Sequence, residues 1–179
     1  MEPRAQIAVA PGVSFEAFYR AQAPFVWRSM RRLGVPPADL EDAAQDVFIV
    51  AHRKLAEFEG RSTLKTWVFG ICLRVASDWR KKTTARREAP ITEAPARSHS
   101  GETATREIAM RQARQKLGEA LLRLDEDKRA VFVLFELEQL SMQEVAQSVG
   151  CPVQTAYARL YAARTAVQSW LAQTQEALP

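Results

Sequence analysis

The chain predicts an all-α fold of two small helical domains joined by a flexible linker, the second containing a helix-turn-helix. Three observations carry this. Apolar residues recur at intervals of three and four along most of the sequence, while the two-residue alternation of a strand is rare. Composition breaks once: after Trp79 comes a basic run, then a Pro/Ala/Ser/Thr/Glu-rich stretch containing Pro90, Pro95 and Gly101 and no periodic apolar residue. Near the C-terminal end, SMQEVAQSVGCPVQTAYARL at residues 141–160 punctuates two short helices around one tight turn.

The elements follow in order. Residues 1–13 read as a disordered leader. A first helix spans Ser14 to Leu33, with Phe15, Phe18, Phe25, Val26, Met30 and Leu33 inward, and Gly34 with Pro36–Pro37 stops it. Asp39 suits the N-cap of the next helix, with Glu41 and Asp42 in its first turn and Leu40, Ala43, Ala44, Val47, Phe48, Ala51 and Leu55 inward. Gly60 ends that unit. Ser62 or Thr63 caps a third helix with Leu64, Trp67, Val68, Ile71, Val75 and Trp79 facing in. The first domain thus covers 14–87, the linker 88–106 and the second domain 107–179. In the second, Asp125 caps a helix bearing Val131, Phe132, Leu134 and Phe135. Ser141 and Glu144 form a capping box, Gly150 supplies a left-handed stop, and Pro152 separates the next helix, whose stripe is Ala156, Leu160, Ala163, Val167 and Leu171.

Composition narrows the function. No run of apolar residues is long enough to span a membrane. The two cysteines, Cys72 and Cys151, sit in apolar helical patterns without a second Cys or a His at ligand spacing, which suits small core residues in a reducing cytoplasm and argues against a disulfide or metal site. His52 and His99 are isolated, and no phosphate-binding glycine loop or nucleophile–base pair occurs, so neither catalysis nor a cofactor is expected. Charge is unevenly placed. Residues 1–90 carry 15 Lys/Arg against 10 Asp/Glu, whereas residues 91–179 carry 10 against 11. Phosphate attraction therefore resides mainly in the first half.

Three surfaces can carry function. On the second helix, Asp42, Gln45, Asp46 and Ile49 lie opposite the core stripe, and an acidic rim around an exposed aliphatic residue suits protein docking. On the third, Lys65, Thr66, Phe69, Leu73, Arg74, Ser77 and Arg80 lie outside the stripe and lead into Lys81 and Lys82. Cations interleaved with rings suit single-stranded nucleic acid, the charges following phosphates and the rings stacking on bases. On the last helix, Gln154, Thr155, Tyr157, Ala158, Arg159, Tyr161 and Arg164 project away from the core or flank it, where Gln and Arg read base edges and Tyr or Thr meet phosphates. Two cations are few for an autonomous duplex binder, so this domain needs tethering to act at useful concentration.

With these residues laid out, the chain resembles the extracytoplasmic-function sigma factors of bacterial RNA polymerase over residues 14–87 and 107–172. DLEDAAQDVF at 39–48 with FEG at 58–60 looks like the region 2 helix that docks on the polymerase clamp. STLKTW at 62–67, with Ile71 and Asp78, is similar to the segment that melts and reads the −10 element. LDEDKRAVF at 124–132 through Arg159 and Leu160 is similar to region 4, which reads the −35 element. The resemblance implies polymerase docking through Asp39, Asp42, Gln45, Asp46 and Ile49. It implies −10 contacts from Lys65, Thr66, Phe69, Arg74, Ser77, Arg80, Lys81 and Lys82, and −35 contacts from Gln154, Thr155, Tyr157, Ala158, Arg159, Tyr161 and Arg164. Its implied partners are core RNA polymerase, promoter DNA and an anti-sigma factor that can be membrane-anchored, in the cytoplasm.

The sequence also departs from that family. Arg74 stands where Asn is frequent, Gln154 where Gly is usual, and Tyr157, Ala158 and Ala162 where basic or serine residues are common, so of the −35 contacts only Thr155 and Arg159 carry over from the family pattern. The alternatives are a stand-alone helix-turn-helix regulator, which requires tight duplex binding without polymerase, and a pure interaction protein, which binds no DNA.

Overall fold

The computed structural model describes residues 14–87 and 104–176, in which every regular element is helical. The leader at 1–13 and most of the stretch read as a linker lie outside the described residues. Helix α1 (Phe15–Arg32) begins where the Ser14 hydroxyl accepts the Ala17 amide at 3.2 Å. It stops at Gly34, whose φ of +91° lies in the left-handed region. A single 3₁₀ turn, Pro37–Asp39, leads into α2 (Leu40–Lys54).

Asp39 does not cap α2 as expected. Its backbone is already helical because it closes the 3₁₀ turn, and its side chain makes no capping bond; Oδ2 instead accepts the Thr83 hydroxyl at 3.4 Å. After a second short turn, Leu55–Glu57, and left-handed Gly60, Thr63 caps α3 (Leu64–Arg87) by accepting the Thr66 amide at 3.1 Å. Phe18, Val26, Met30, Val47 and Val68 fill the space among these three helices and are buried.

Helix α4 (Ala104–Leu122) begins three residues inside the segment read as linker. Asp125 caps α5 (Glu126–Phe132) as expected, accepting the Lys128 amide at 2.8 Å. Its carboxyl lies below the usual range because the Lys128 side chain and amide both donate to it. α5 widens into one π-type turn, Val133–Leu137, closed by the Glu138 amide on the Val133 carbonyl at 3.0 Å. Gln139 follows at φ +56°, uncommon for a residue with a side chain. The helix-turn-helix, α6 (Met142–Val149) and α7 (Val153–Glu176), matches its sequence signals. The Ser141–Glu144 capping box is complete, Gly150 is left-handed at φ +67°, and Ala156, Leu160, Ala163 and Val167 are buried.

The two lobes share one continuous core rather than standing apart. Helix α3 packs against α1 and α2 on one side and against α6 on another. This overturns part of the reading of α3: Thr66 and Phe69, expected on its outer face, are 2 % and 0 % exposed. A one-sided stripe was the wrong template for a helix covered from two directions, which must be apolar or locally satisfied on both.

Candidate nucleic-acid interface

Three sites are built on this frame. On α2, Asp42, Gln45 and Ile49 line one solvent-facing row, and Ile49 is 41 % exposed. Asp46 belongs to a different structure: its carboxylate accepts the Trp79 indole N–H at 2.9 Å and ties α2 to α3. A substitution at Asp46 therefore disturbs packing as well as any docking. Asp39, half-buried beside Thr83, is likewise withdrawn from the row.

On α3, Arg74, Lys81 and Lys82 are exposed, and Lys82 lies 5.1 Å from the Trp79 ring centre. Lys65, Ser77 and Arg80 of this helix are engaged. Lys65 Nζ is 3.1 Å from the Glu138 carboxylate and 3.0 Å from the Glu138 carbonyl. Ser77 donates to Glu126 at 3.4 Å, and Arg80 pairs with Glu126 while donating to the Leu33 carbonyl at 2.8 Å. Sequence reasoning missed a hollow at the start of α3, lined by Glu57, Phe58, Glu59, Arg61, Ser62 and Trp67. Phe58 and Trp67 stand 5.3 Å apart, centre to centre, in its wall. The Phe58–Gly60 motif was the available signal; the two rings suit an unpaired base, while Arg61 is paired with Glu59.

On α7, Gln154, Thr155, Tyr157, Ala158 and Tyr161 are exposed, with Tyr157 and Tyr161 stacked at 6.5 Å. Both arginines of this helix are held within their own lobe. Arg159 pairs with Asp127 at 2.5 Å, and Arg164 pairs with Glu136 at 2.5 Å while lying 5.7 Å from the Phe135 ring centre. The surface is even poorer in free cations than the sequence implied.

Two buried charged groups lie between the lobes, and neither has a sequence signature. Arg129, 5 % exposed, donates to the carbonyls of Leu121, Leu122 and Leu124 at the end of α4 and to that of Leu33 at the end of α1. Burial, with Arg80 nearby, pushes its guanidinium down to about 10, still cationic at neutral pH. Glu138 is the second, facing Arg28, Arg32 and Lys65 of the first lobe. Burial also lowers the Arg32 guanidinium, against the opposing pull of Glu138.

Burial pushes the Cys72 thiol up, away from thiolate reactivity, and Cys151 is half-buried. Among the described residues no cluster of His, Cys, Asp and Glu is placed to hold a metal, and no helix is long and apolar enough to cross a membrane.

Comparison with known proteins agrees with this layout. The family model for sigma-70 region 2 matches residues 18–86, and that for sigma-70 region 4 matches residues 114–167. The ECF RNA polymerase sigma-E factor of Escherichia coli K12 is 31 % identical over 143 residues, covering 75 % of each chain. The RNA polymerase sigma-H factor of Pseudomonas aeruginosa PAO1 is 30 % identical over 144 residues, covering 74 % of this chain and 73 % of its own. Among solved structures, the sigma factor RpoE in complex with the anti-sigma factor NepR, from Bartonella quintana, superposes with a TM-score of 0.69 at 25 % identity, over 88 % of this chain and 96 % of that one. CnrH in complex with the cytosolic domain of CnrY shares the fold, with a TM-score of 0.65 at 23 % identity over 89 % and 88 %. Helices α1–α3 and α4–α7 thus carry sigma regions 2 and 4, and the chain belongs to the extracytoplasmic-function sigma factors, alternative sigma factors that serve transcription initiation rather than catalysis.

Proposed function

We propose that the outward row of α2 docks on the clamp of core RNA polymerase, and that α3 with the hollow before it holds the opened −10 strand. The observation that carries this is the Asp42–Gln45–Ile49 row. An aliphatic side chain left in water at the end of a polar row, on a helix whose other face is core, is stabilised by a partner's cover. Arg74, Lys81 and Lys82 supply phosphate contacts, and Phe58 and Trp67 supply a stacking wall. Gln154, Thr155, Tyr157, Ala158 and Tyr161 face the −35 duplex. Arg159 and Arg164 join them once they leave Asp127 and Glu136. With so few free cations, α7 acts when polymerase already holds the chain near DNA. On this reading the protein works in the cytoplasm, and its regulating partner is an anti-sigma factor, membrane-anchored or not.

The docking row is tested by Asp42→Lys with Ile49→Asp. Both positions are exposed, so the fold should persist, while reversed charge and a lost apolar contact should weaken binding to core polymerase about 10- to 100-fold. Competition against a labelled sigma factor for core measures it. Wild-type affinity in that variant would remove α2 from the interface.

A further inference from the structure

We infer that region 4 of this chain selects its −35 element by thymine methyl groups and one adenine, with no guanine contact. The reader is an uncharged row on α7, formed by Gln154, Ala158 and Tyr161, with Tyr157 along its edge. This rests on the reading above that α7 faces the −35 duplex, and adds which bases it selects.

Helix geometry sets the row. At 3.6 residues per turn, Gln154, Ala158, Tyr161 and Thr165 fall opposite the buried stripe of Ala156, Leu160, Ala163 and Val167, and all four are exposed. In the major groove it is this outward side of a recognition helix that meets base edges. Arg159 and Arg164 lie beside the buried stripe instead. Arg159 pairs with Asp127, and Arg164 pairs with Glu136 and lies 5.7 Å from the Phe135 ring centre. Exchanged onto phosphates, both still leave the row without a cation. Thr165 is engaged within the helix, its hydroxyl donating to the Tyr161 carbonyl at 3.1 Å.

The chemistry of the row then separates the bases. Guanine shows two acceptors in the major groove, N7 and O6, and a bidentate Arg or Lys is its commonest reader. The row has neither. Adenine shows an acceptor beside a donor, N7 and the N6 amine, which the carboxamide of Gln154 matches with both its ends. Thymine shows a methyl group, which needs only an apolar surface. Ala158 and the two rings supply one. Val153, Tyr157 and Tyr161, at successive spacings of four, are three of the eight large apolar side chains exposed among the described residues, more than any other helix carries. Such a patch is a contact surface rather than scattered exposure.

The rings are also set in place. Tyr157 and Tyr161 stack with centres 6.5 Å apart and planes 25° from parallel, and the Arg164 guanidinium lies 5.9 Å from the Tyr161 ring centre. A ring braced on two contacts loses little freedom on meeting DNA, so the methyl contact is kept as affinity. Burial of one methyl group corresponds to about fourfold in binding.

The test uses the full chain with core RNA polymerase on templates randomised across the promoter region, and the transcribed templates are sequenced. The upstream element should be rich in A·T pairs, with no fixed G·C pair. Deoxyuridine in place of thymidine then removes the methyl groups and leaves base pairing intact. Wild type should lose about fourfold in transcription for each contacted methyl. In Tyr161→Ala and Tyr157→Ala, both at exposed positions, one such methyl should cease to matter, a coupling that a merely structural role would not produce. Gln154→Ala should relax discrimination at one adenine about tenfold. A fixed G·C pair in the element, a wild type indifferent to uracil, or tyrosine variants that keep every methyl effect would overturn the base assignment alone. Transcribed templates that share no upstream element would overturn the placement of α7 on the −35 duplex, and this inference with it.

Discussion

Arg129→Leu should lower the melting temperature of the full chain by about 10 °C or more, the largest single effect expected of any charged residue here. Its guanidinium meets the carbonyls of Leu121 and Leu122 in the last turn of α4 and of Leu124 just beyond it, where the helix supplies few further donors. Leucine fills similar space but donates nothing. The Leu33 carbonyl keeps Arg80 as a donor and the Leu121 carbonyl keeps the Leu124 amide, so the loss falls on the Leu122 and Leu124 carbonyls. Each unsatisfied buried acceptor costs about 1–3 kcal/mol, and removal of a buried hydrogen-bonded charge falls at about 3–5 kcal/mol in all. Thermal unfolding followed by circular dichroism reads this directly. A melt within a degree or two of wild type would mean that the guanidinium does not hold the end of α4.

Gly34→Val should cost about 3 kcal/mol, again read from the thermal melt. The backbone at φ +91° is open to glycine and strained for a β-branched residue, at roughly 1–2 kcal/mol. The space is also filled: a Cβ here would lie 2.8 Å from Arg129 Nη1 and 3.0 Å from Leu122 Cδ2. Because Gly34 belongs to region 2 and both neighbours to region 4, the clash falls between the lobes. Gly60 offers the control, since it is also left-handed at φ +70° but a Cβ there would meet nothing within 4 Å. Gly60→Val should show the backbone strain without the clash. Equal losses at both positions would show that Gly34 is not a contact point between the lobes.

The parts legible from sequence were those fixed by neighbours in the chain. Ser14, Thr63, Asp125 and the Ser141–Glu144 box announce helix starts because a cap and its amide lie within three residues. Gly150 and Pro152 mark the turn of the helix-turn-helix for the same reason. Failures came where the partner is remote. Arg129 reads as one surface cation among others until Leu33, 96 residues earlier, is folded against it. Glu138 reads as a solvated acid until Arg32, 106 residues away, approaches. Phe69 and Thr66 were assigned to an open face because periodicity shows that a helix has an apolar side, not that a second element covers the other. Asp46 reads from sequence as part of the acidic row of α2, whereas its carboxylate accepts the Trp79 indole N–H 33 residues away.

The sigma assignment also changes how the weak basic character of region 4 is understood. Tyr157 and Tyr161 offer a stacked aromatic pair on the outer face of α7, and Arg159 and Arg164 are engaged at home. Under the proposed function, tethering by polymerase would compensate for low intrinsic affinity, and phosphates would take the place of Asp127 and Glu136 beside the two arginines.

The most direct measurement is start-site mapping with purified components. Core RNA polymerase, reconstituted with this chain alone and given fragmented bacterial genomic DNA, is followed by sequencing of transcript 5′ ends. A small set of sharp start sites preceded by two shared upstream elements, absent with core alone, is the result expected. Start sites indistinguishable from those of core alone, alongside tight binding of the isolated chain to duplex DNA, would contradict it.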